Sequence, residues 1–134
     1  MVSPPDLIEA ARTARETAYA PYSEFTVGAA LLTSDGTTFT GSNVEWVTFS
    51  NTIHAEMAAV SAAARERYRG PDALEAIAVV TRDPLSWPCG NCRQCLAEFA
   101  GPELDIYVEA PEDADTTIEH TTLGDLLPNA FTDF

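Results

Sequence analysis

The sequence predicts an α/β protein whose sheet is partly parallel, and two observations carry that prediction. Ser34-Asp35-Gly36 separates two β-rich runs at residues 25–33 and 37–43, which is a strong signal for a β-hairpin. After this hairpin, helical and strand-like segments alternate along the chain, and such alternation favours parallel strands joined through a helix. With 134 residues and 46% apolar composition, we expect a single domain spanning residues 1–134.

Four helical segments follow from residue spacing and from start and stop signals. The first begins near Pro4-Pro5-Asp6, where an acidic residue lies at the positive end of the helix dipole. We expect Thr52 to cap the second helix and Gly70-Pro71 to end it. The four predicted helices cover approximately residues 6–19, 52–69, 89–100 and 123–127.

Three further strands are predicted after the hairpin. Residues 76–81 form a continuous apolar run of strand length, which is typical of a buried central strand. Residues 104–109 form the next strand, and residues 116–121 form a possible short final strand. His120 has no evident partner, so we expect it to lie on the surface.

The clearest chemical signal is a pair of cysteines in Pro88-Cys89-Gly90-Asn91-Cys92. This spacing at a helix start places two thiolates on one side of the first turn, where they can hold a single Zn²⁺. His54 offers a nitrogen ligand upstream, and Glu56 follows it by two residues. Three protein ligands leave one tetrahedral position open, which is the mark of a catalytic zinc.

The combination His-x-Glu followed by Pro-Cys-x-x-Cys is recognised as the signature of zinc deaminases, in which the glutamate is not a ligand. Two other interpretations use part of the same pattern. Cys89 and Cys92 alone could form a redox pair, and the cluster could be a structural zinc site. The redox interpretation leaves His54 and Glu56 without a role, and the structural one lacks a fourth ligand. Cys95 is interpreted as a small buried side chain.

Taken together, five segments resemble the small cytidine deaminases that act on nucleosides. These segments are residues 22–31, 41–45, 54–56, 88–94 and 126–131, and the resemblance extends over residues 19–131. It implies a three-layer α/β/α sandwich with a mixed five-stranded sheet. It also implies zinc-dependent hydrolysis of cytidine or deoxycytidine to uridine or deoxyuridine and ammonia, a reaction of pyrimidine salvage.

The resemblance also implies roles for individual residues. His54, Cys89 and Cys92 would be the zinc ligands, and Glu56 would carry protons between the attacking water, N3 of cytosine and the departing ammonia. The remaining implied residues contact substrate: Asn43 and Glu45 at the ribose, Phe25 against the base, the backbone at Ala55 along the base edge, Phe49 in the pocket wall, and Phe131 in a neighbouring subunit's pocket. A homotetramer with shared active sites is therefore expected.

Two departures from the family pattern bear on function. Small tetrameric members often have Cys and Arg where this chain has His54 and Met57. Because two thiolates and a neutral imidazole balance the charge of Zn²⁺, the charge-offsetting arginine is not needed here. Residues 46–49, Trp-Val-Thr-Phe, replace the frequent Asn-Ala-Ser-Tyr. A deaminase of a modified cytosine nucleoside or nucleoside antibiotic is therefore the alternative function, and a non-catalytic zinc or redox module is a distant one.

Charge limits the range of partners. The chain has 21 acidic and 7 basic residues, a net charge of −14, and all its basic residues are arginine. Such a surface repels nucleic acid and anionic membranes, so we expect neither as a partner.

Acidic, lysine-free composition favours a salt-rich, halophilic source, with an ordinary acidic protein as the alternative. We expect a reducing cytoplasm, because the count of three cysteines is odd and two of them have metal-like spacing. No apolar run reaches membrane-spanning length, and the N-terminus shows no signal pattern.

Overall fold

The computed structural model describes residues 1–134 and contains one mixed five-stranded sheet. The strands are β1 (Val27–Thr33), β2 (Thr38–Ser42), β3 (Leu74–Thr81), β4 (Asp105–Glu109) and β5 (Ile118–Thr122). Their order across the sheet is β2-β1-β3-β4-β5. β3 and β4 pair in parallel, and the other neighbours are antiparallel. The predicted hairpin and the partly parallel sheet are confirmed.

Helices cover both faces of this sheet. They are α1 (Pro4–Arg15), α2 (Ala55–Arg65), α3 (Gly90–Leu96) and the single turn α4 (Leu123–Leu126), with a short 3-10 helix at Phe49–Asn51. Buried side chains of α1 pack on one face of β1 and β3. Those of α2, α3 and α4 pack on the opposite face and form the larger core. The three-layer α/β/α sandwich is therefore confirmed. No helix combines the length and apolar composition needed to cross a bilayer.

The chain leaves helix geometry earlier than the sequence predicts at the end of α1. We expected helix as far as Tyr19, whereas α1 ends at Arg15. The reason is tertiary, because the backbone of Tyr19 donates to Asn43 and accepts from Glu45. These bonds replace the helical hydrogen bonds that residues after Arg15 would otherwise make.

The start of α2 also differs from the prediction, and the difference matters for the site. Thr52 ends the short 3-10 helix instead of capping α2. His54 occupies the N-cap position of α2 and makes no side-chain capping bond. The first N–H groups of α2 therefore have no capping acceptor, and they lie beside the side chains of His54 and Glu56.

A glycine allows α2 to lie unusually close to the sheet. A Cβ at Gly41 on β2 would lie 2.5 Å from both the carbonyl oxygen of Ala55 and the amide nitrogen of Ala59. Only glycine permits this approach, which fixes the first two turns of α2 against β2. The close contact thereby sets the position of the residues that begin α2.

His120 lies on the surface as predicted, but it has a partner that the sequence did not reveal. Its Nε2 lies 2.7 Å from Oδ1 of Asp105, and its ring lies 5.0 Å from the ring of Tyr107. Tyr107 and His120 are opposite each other in the β4–β5 register. His120 is therefore a half-exposed cross-strand partner, not an isolated surface group.

Candidate metal centre and active site

Three predicted ligands converge between the starts of two helices. His54 is the N-cap residue of α2, Cys89 is the N-cap residue of α3, and Cys92 lies in the first turn of α3. Nδ1 of His54 lies 3.2 Å from Sγ of Cys92 and 3.4 Å from Sγ of Cys89. All three ligand atoms lie within 4.8 Å of one another. The metal cluster predicted from spacing is confirmed.

These distances fit a zinc ion. With Zn–S near 2.3 Å and Zn–N near 2.0–2.1 Å, tetrahedral coordination places sulfur and nitrogen ligands about 3.5 Å apart. The two observed nitrogen–sulfur distances are close to that value. Thiolate and imidazole are donors that suit zinc, and they leave one coordination position for a reactant. The protein is therefore built to hold one Zn²⁺ at this cluster.

The surroundings of Cys92 disfavour a thiolate that has no metal bound to it. Burial raises the pKa of the Cys92 thiol far above its ordinary value, and the neighbouring charges of Glu56 and Cys89 raise it further. A thiol in such a place is deprotonated only when a metal compensates its charge. The positive end of the α3 dipole also favours the thiolate form of Cys92.

Glu56 lies in the first turn of α2 next to the metal cluster and is 6% exposed. Burial raises the pKa of its carboxyl group, and hydrogen bonds and the charge of His54 oppose that effect. The carboxyl group is thus neither a surface charge nor one of the three clustered ligand side chains. It is placed to exchange protons with a reactant held beside the metal.

The cluster opens into a cavity of about 300 Å³, which is within the size range of small-ligand sites. Its lining combines predicted site residues with residues that were not predicted from the sequence. The lining residues are Ser23, Phe25, Val27, Asn43, Glu45, Thr52, His54, Ala55, Glu56, Val79, Thr81, Ser86, Trp87 and Cys89.

Glu45 is held in a fixed orientation at the cavity. Its Oε1 accepts hydrogen bonds from the backbone N–H groups of Tyr22 and Ser23, at 3.0 and 3.1 Å. Its Oε2 accepts a hydrogen bond of 2.5 Å from the hydroxyl of Ser23. The Ser23 hydroxyl and these N–H groups lower the pKa of Glu45. The carboxylate is therefore an ionised acceptor whose remaining lone pairs can bind hydroxyl groups.

Asn43 combines a structural contact with a place in the cavity wall. Its Oδ1 accepts from the N–H of Val27, and its Nδ2 donates to the carbonyl of Phe25, each at 2.8 Å. These bonds fix the backbone on either side of Thr26 and so orient Phe25. One hydrogen on Nδ2 remains for a ligand.

Two predicted substrate contacts do not line the cavity of the single chain. Phe49 is 69% exposed, and its ring packs against Tyr22 with centroids 5.6 Å apart. Phe131 is 64% exposed, and its backbone carbonyl accepts a hydrogen bond from Gln94. Trp46 is likewise exposed and outside the lining. The contacts of Phe49 and Phe131 with substrate remain predictions.

The sequence analysis missed Trp87, which forms part of the apolar cavity wall. Trp87 directly precedes Pro88-Cys89, so its proximity to a ligand was the available signal. The missed residues Val79 and Thr81 lie at the end of β3. They reach the cavity because Thr81 pairs with Val27 at the beginning of β1.

Known proteins share both the sequence and the fold. Residues 2–108 match the family model described as the cytidine and deoxycytidylate deaminase zinc-binding region. A cytidine deaminase from Sporosarcina psychrophila is 44% identical over 125 residues, which cover 93% of this chain and 88% of the relative. The sequence match thus includes the His54–Glu56 segment and the two cysteines.

Solved structures give the same result. The cytidine deaminase of Burkholderia pseudomallei matches with a TM-score of 0.83 at 45% identity, covering 93% of this chain and 96% of the other. The enzyme of Mycobacterium tuberculosis matches with a TM-score of 0.76 at 43% identity, covering 93% and 94%. Because the family match includes the segment whose three ligands converge in the structure, the chain belongs to the cytidine and deoxycytidylate deaminase family.

Proposed function

We propose that the protein hydrolyses cytidine and 2′-deoxycytidine to uridine and 2′-deoxyuridine, releasing ammonia, and so serves pyrimidine salvage. The observation that carries this proposal is a buried carboxyl group, Glu56, which lines the same cavity as His54 and Cys89 of the metal cluster. A redox pair or a purely structural zinc site would have no need of that carboxyl group. The cytidine deaminase relatives support the same reaction.

The chemistry divides between the metal and Glu56. When bound, zinc lowers the pKa of a water molecule from 15.7 to about 7, so hydroxide is available at neutral pH. Glu56 takes one proton from the attacking water as the O–C4 bond forms, and delivers it to N3 of the base. Glu56 then carries the second proton, from the new hydroxyl group on C4, to the exocyclic nitrogen. The C4–N bond breaks, ammonia leaves, and C4 keeps the oxygen as a carbonyl.

The two carboxylates that line the cavity have different environments, and these environments assign their roles. Glu56 is buried beside the cluster, whereas both oxygens of Glu45 are already held by hydrogen bonds from Tyr22 and Ser23. A carboxylate held in this way accepts hydrogen bonds without exchanging protons. We therefore assign the proton transfers to Glu56 and the binding of ribose hydroxyl groups to Glu45, with help from the free Nδ2 hydrogen of Asn43.

The base is held between apolar side chains and helix N–H groups. Phe25 and Trp87 provide flat surfaces in the cavity wall for the pyrimidine ring. The uncapped N–H groups at the start of α2, near Ala55, provide donors for the edge of the base. This arrangement supports a single pyrimidine nucleoside as the substrate.

A panel of nucleosides followed by ultraviolet absorbance tests the proposal. Cytidine and 2′-deoxycytidine should be converted, and adenosine should not. Glu56→Gln serves as the control for any contaminating deaminase. Efficient turnover of a modified cytosine nucleoside without turnover of cytidine would favour the alternative function. Absence of turnover across the panel by zinc-loaded protein would contradict the assignment.

The same cavity should reject polynucleotides. A phosphate in place of a ribose hydroxyl would face the ionised Glu45, and the net charge of −14 adds general repulsion. Single-stranded DNA containing cytosine, assayed under the same conditions, should be deaminated far more slowly than cytidine. Comparable rates would contradict the assigned role of Glu45.

We propose in addition a homotetramer in which Phe131 reaches the cavity of a neighbouring subunit. In support of this, the Phe131 side chain is exposed and lies outside the cavity lining of its own chain. Glu56→Gln and Phe131→Ala subunits, mixed during refolding, should then produce some cavities with both groups intact. Activity above the sum of the two separate variants is expected. A simple sum, with mixed assemblies verified by mass, would refute the shared site.

We also propose a cytoplasmic, salt-rich setting. Cys89 and Cys92 must remain reduced to bind a metal, and a charge of −14 without lysine benefits from screening. Unfolding midpoints measured from low to molar potassium chloride should rise with salt. A flat or falling dependence would indicate an ordinary acidic protein.

A further inference from the structure

The side chain of Arg93 connects the metal-binding loop to the C-terminal part of the chain. Its Nε donates a hydrogen bond of 2.6 Å to the carbonyl of Pro88, and its Nη1 donates one of 2.9 Å to the carbonyl of Leu126. Its backbone N–H also donates to the carbonyl of Cys89 at 2.9 Å. Arg93 thus binds both carbonyl groups that flank the Cα atom of Cys89.

This arrangement fixes the direction in which the Cys89 side chain leaves the backbone. The Pro88 carbonyl belongs to the peptide plane before Cys89, and the Cys89 carbonyl belongs to the plane after it. The two peptide planes are related by the backbone torsion angles φ and ψ, which are −69° and 167° at Cys89. When both planes are held by one residue, neither angle can rotate independently, and the Cα–Cβ bond has one direction.

Cys89 depends on this backbone constraint more than Cys92 does. Cys92 is fully buried and is held by the packing around it, whereas Cys89 is exposed at the cavity. An exposed cysteine receives little orientation from neighbouring side chains. A metal ligand that can rotate freely loses conformational entropy on binding, which weakens the site.

The bond to Leu126 holds the guanidinium group from its other side. Leu126 ends α4, so its carbonyl has no partner within that helix. The guanidinium is planar and presents donors in fixed directions, so it can serve the Pro88 and Leu126 carbonyls together. A lysine has a single nitrogen on a flexible chain and cannot reproduce both distances.

We propose that Arg93 is a positioning residue that orients Cys89 for metal binding and couples the metal-binding loop to α4. The proposal rests on the proposed zinc-dependent function. It does not depend on which nucleoside is the substrate, so it can be tested through the metal alone.

The experiment compares Arg93→Met with Arg69→Met as a matched control. Nε of Arg69 donates a 2.9 Å hydrogen bond to the carbonyl of Ala64 at the far end of α2. Both substitutions remove a positive charge and hydrogen bonds from the guanidinium to backbone carbonyl groups, two at Arg93 and one at Arg69. Only Arg93 lies at the metal-binding loop. Purified zinc-loaded proteins are mixed with excess chromogenic chelator, and the rate of zinc release is recorded together with denaturant unfolding.

We expect Arg93→Met to release zinc about 10–100-fold faster than the unaltered protein, as for residues that orient metal ligands. Arg69→Met should release it within about twofold of the unaltered rate. Arg93→Lys should give an intermediate rate. It also provides the test if Arg93→Met does not fold, because its cobalt-substituted form should show a changed thiolate-to-cobalt absorption band.

Equal zinc release by the Arg93 and Arg69 variants would overturn the positioning role while leaving the proposed function intact. An unchanged thiolate-to-cobalt absorption band in Arg93→Lys would likewise overturn the positioning role and leave the proposed function intact. If the unaltered protein itself bound no zinc, the proposed function and this inference would both fail.

Discussion

Replacing Gly41 with alanine should displace α2, the helix that begins at the metal cluster, by an amount that the structure specifies. The new Cβ would lie 2.5 Å from backbone atoms of Ala55 and Ala59, whereas ordinary contacts begin at 3.4 Å. The difference, 3.4 − 2.5, requires a shift of about 0.9 Å. Both obstructing atoms belong to the backbone of α2, so a side-chain rotation cannot relieve the clash, and the helix must move away from β2.

The displacement has two expected consequences. Overpacking of this kind typically costs about 1–3 kcal/mol in the free energy of unfolding. A misplacement near 1 Å at a catalytic centre costs about 10²-fold in rate. Because Ala55 lies between His54 and Glu56, we expect Gly41→Ala to lower kcat/KM for cytidine about 100-fold at a temperature where the variant is fully folded.

The matched control is Gly28→Ala on β1. Its Cβ would lie 2.0 Å from the carbonyl oxygen of Ala11 in α1, on the opposite face of the sheet. It should therefore destabilise the protein while changing activity per folded molecule much less. Absorbance assays and urea unfolding measure both quantities. A Gly41→Ala enzyme with kcat/KM within about twofold of the unaltered value would refute the reasoning.

Two further predictions concern proton transfer and acid stability. Glu56→Gln should retain zinc and fold but lose at least about 10²–10⁴-fold in turnover, and retention of half the rate would remove Glu56 from its assigned role. Hydrogen bonds from Thr33, Tyr68 and Thr37 lower the pKa of Asp35 from 3.8 to about 2. The stabilisation from its carboxylate is therefore complete above the unfolded-state pKa and is lost as pH falls through about 2. The difference in unfolding free energy between Asp35→Asn and the unaltered protein should be largest near pH 7 and should shrink as pH falls to and below 2. A constant difference would contradict this.

The sequence was sufficient for the elements whose signals are local. The hairpin follows from Asp35-Gly36 between two β-rich runs, and β3 follows from its continuous apolar run. The metal cluster follows from residue types and short spacings at His54, Cys89 and Cys92, which the structure brings together. The three-layer arrangement required the family resemblance, because spacing alone does not determine which face of a sheet a helix covers.

The features that the sequence did not predict depend on contacts between distant segments. α1 stops at Arg15 because Tyr19 pairs with backbone around Val44. His120 finds Asp105 only through the register of β4 and β5. Trp87 enters the cavity wall because its loop follows β3, whose end pairs with the beginning of β1. In each case pairing between distant segments determines the contact, and that pairing is not encoded in any single segment.

The zinc content of the protein and its requirement for turnover can both be measured directly. Elemental analysis of the purified protein should give about one Zn²⁺ per chain. Removal of the metal with a chelator should abolish cytidine deamination, and added Zn²⁺ should restore it. Protein without metal that converts cytidine at an undiminished rate after chelation would contradict the account.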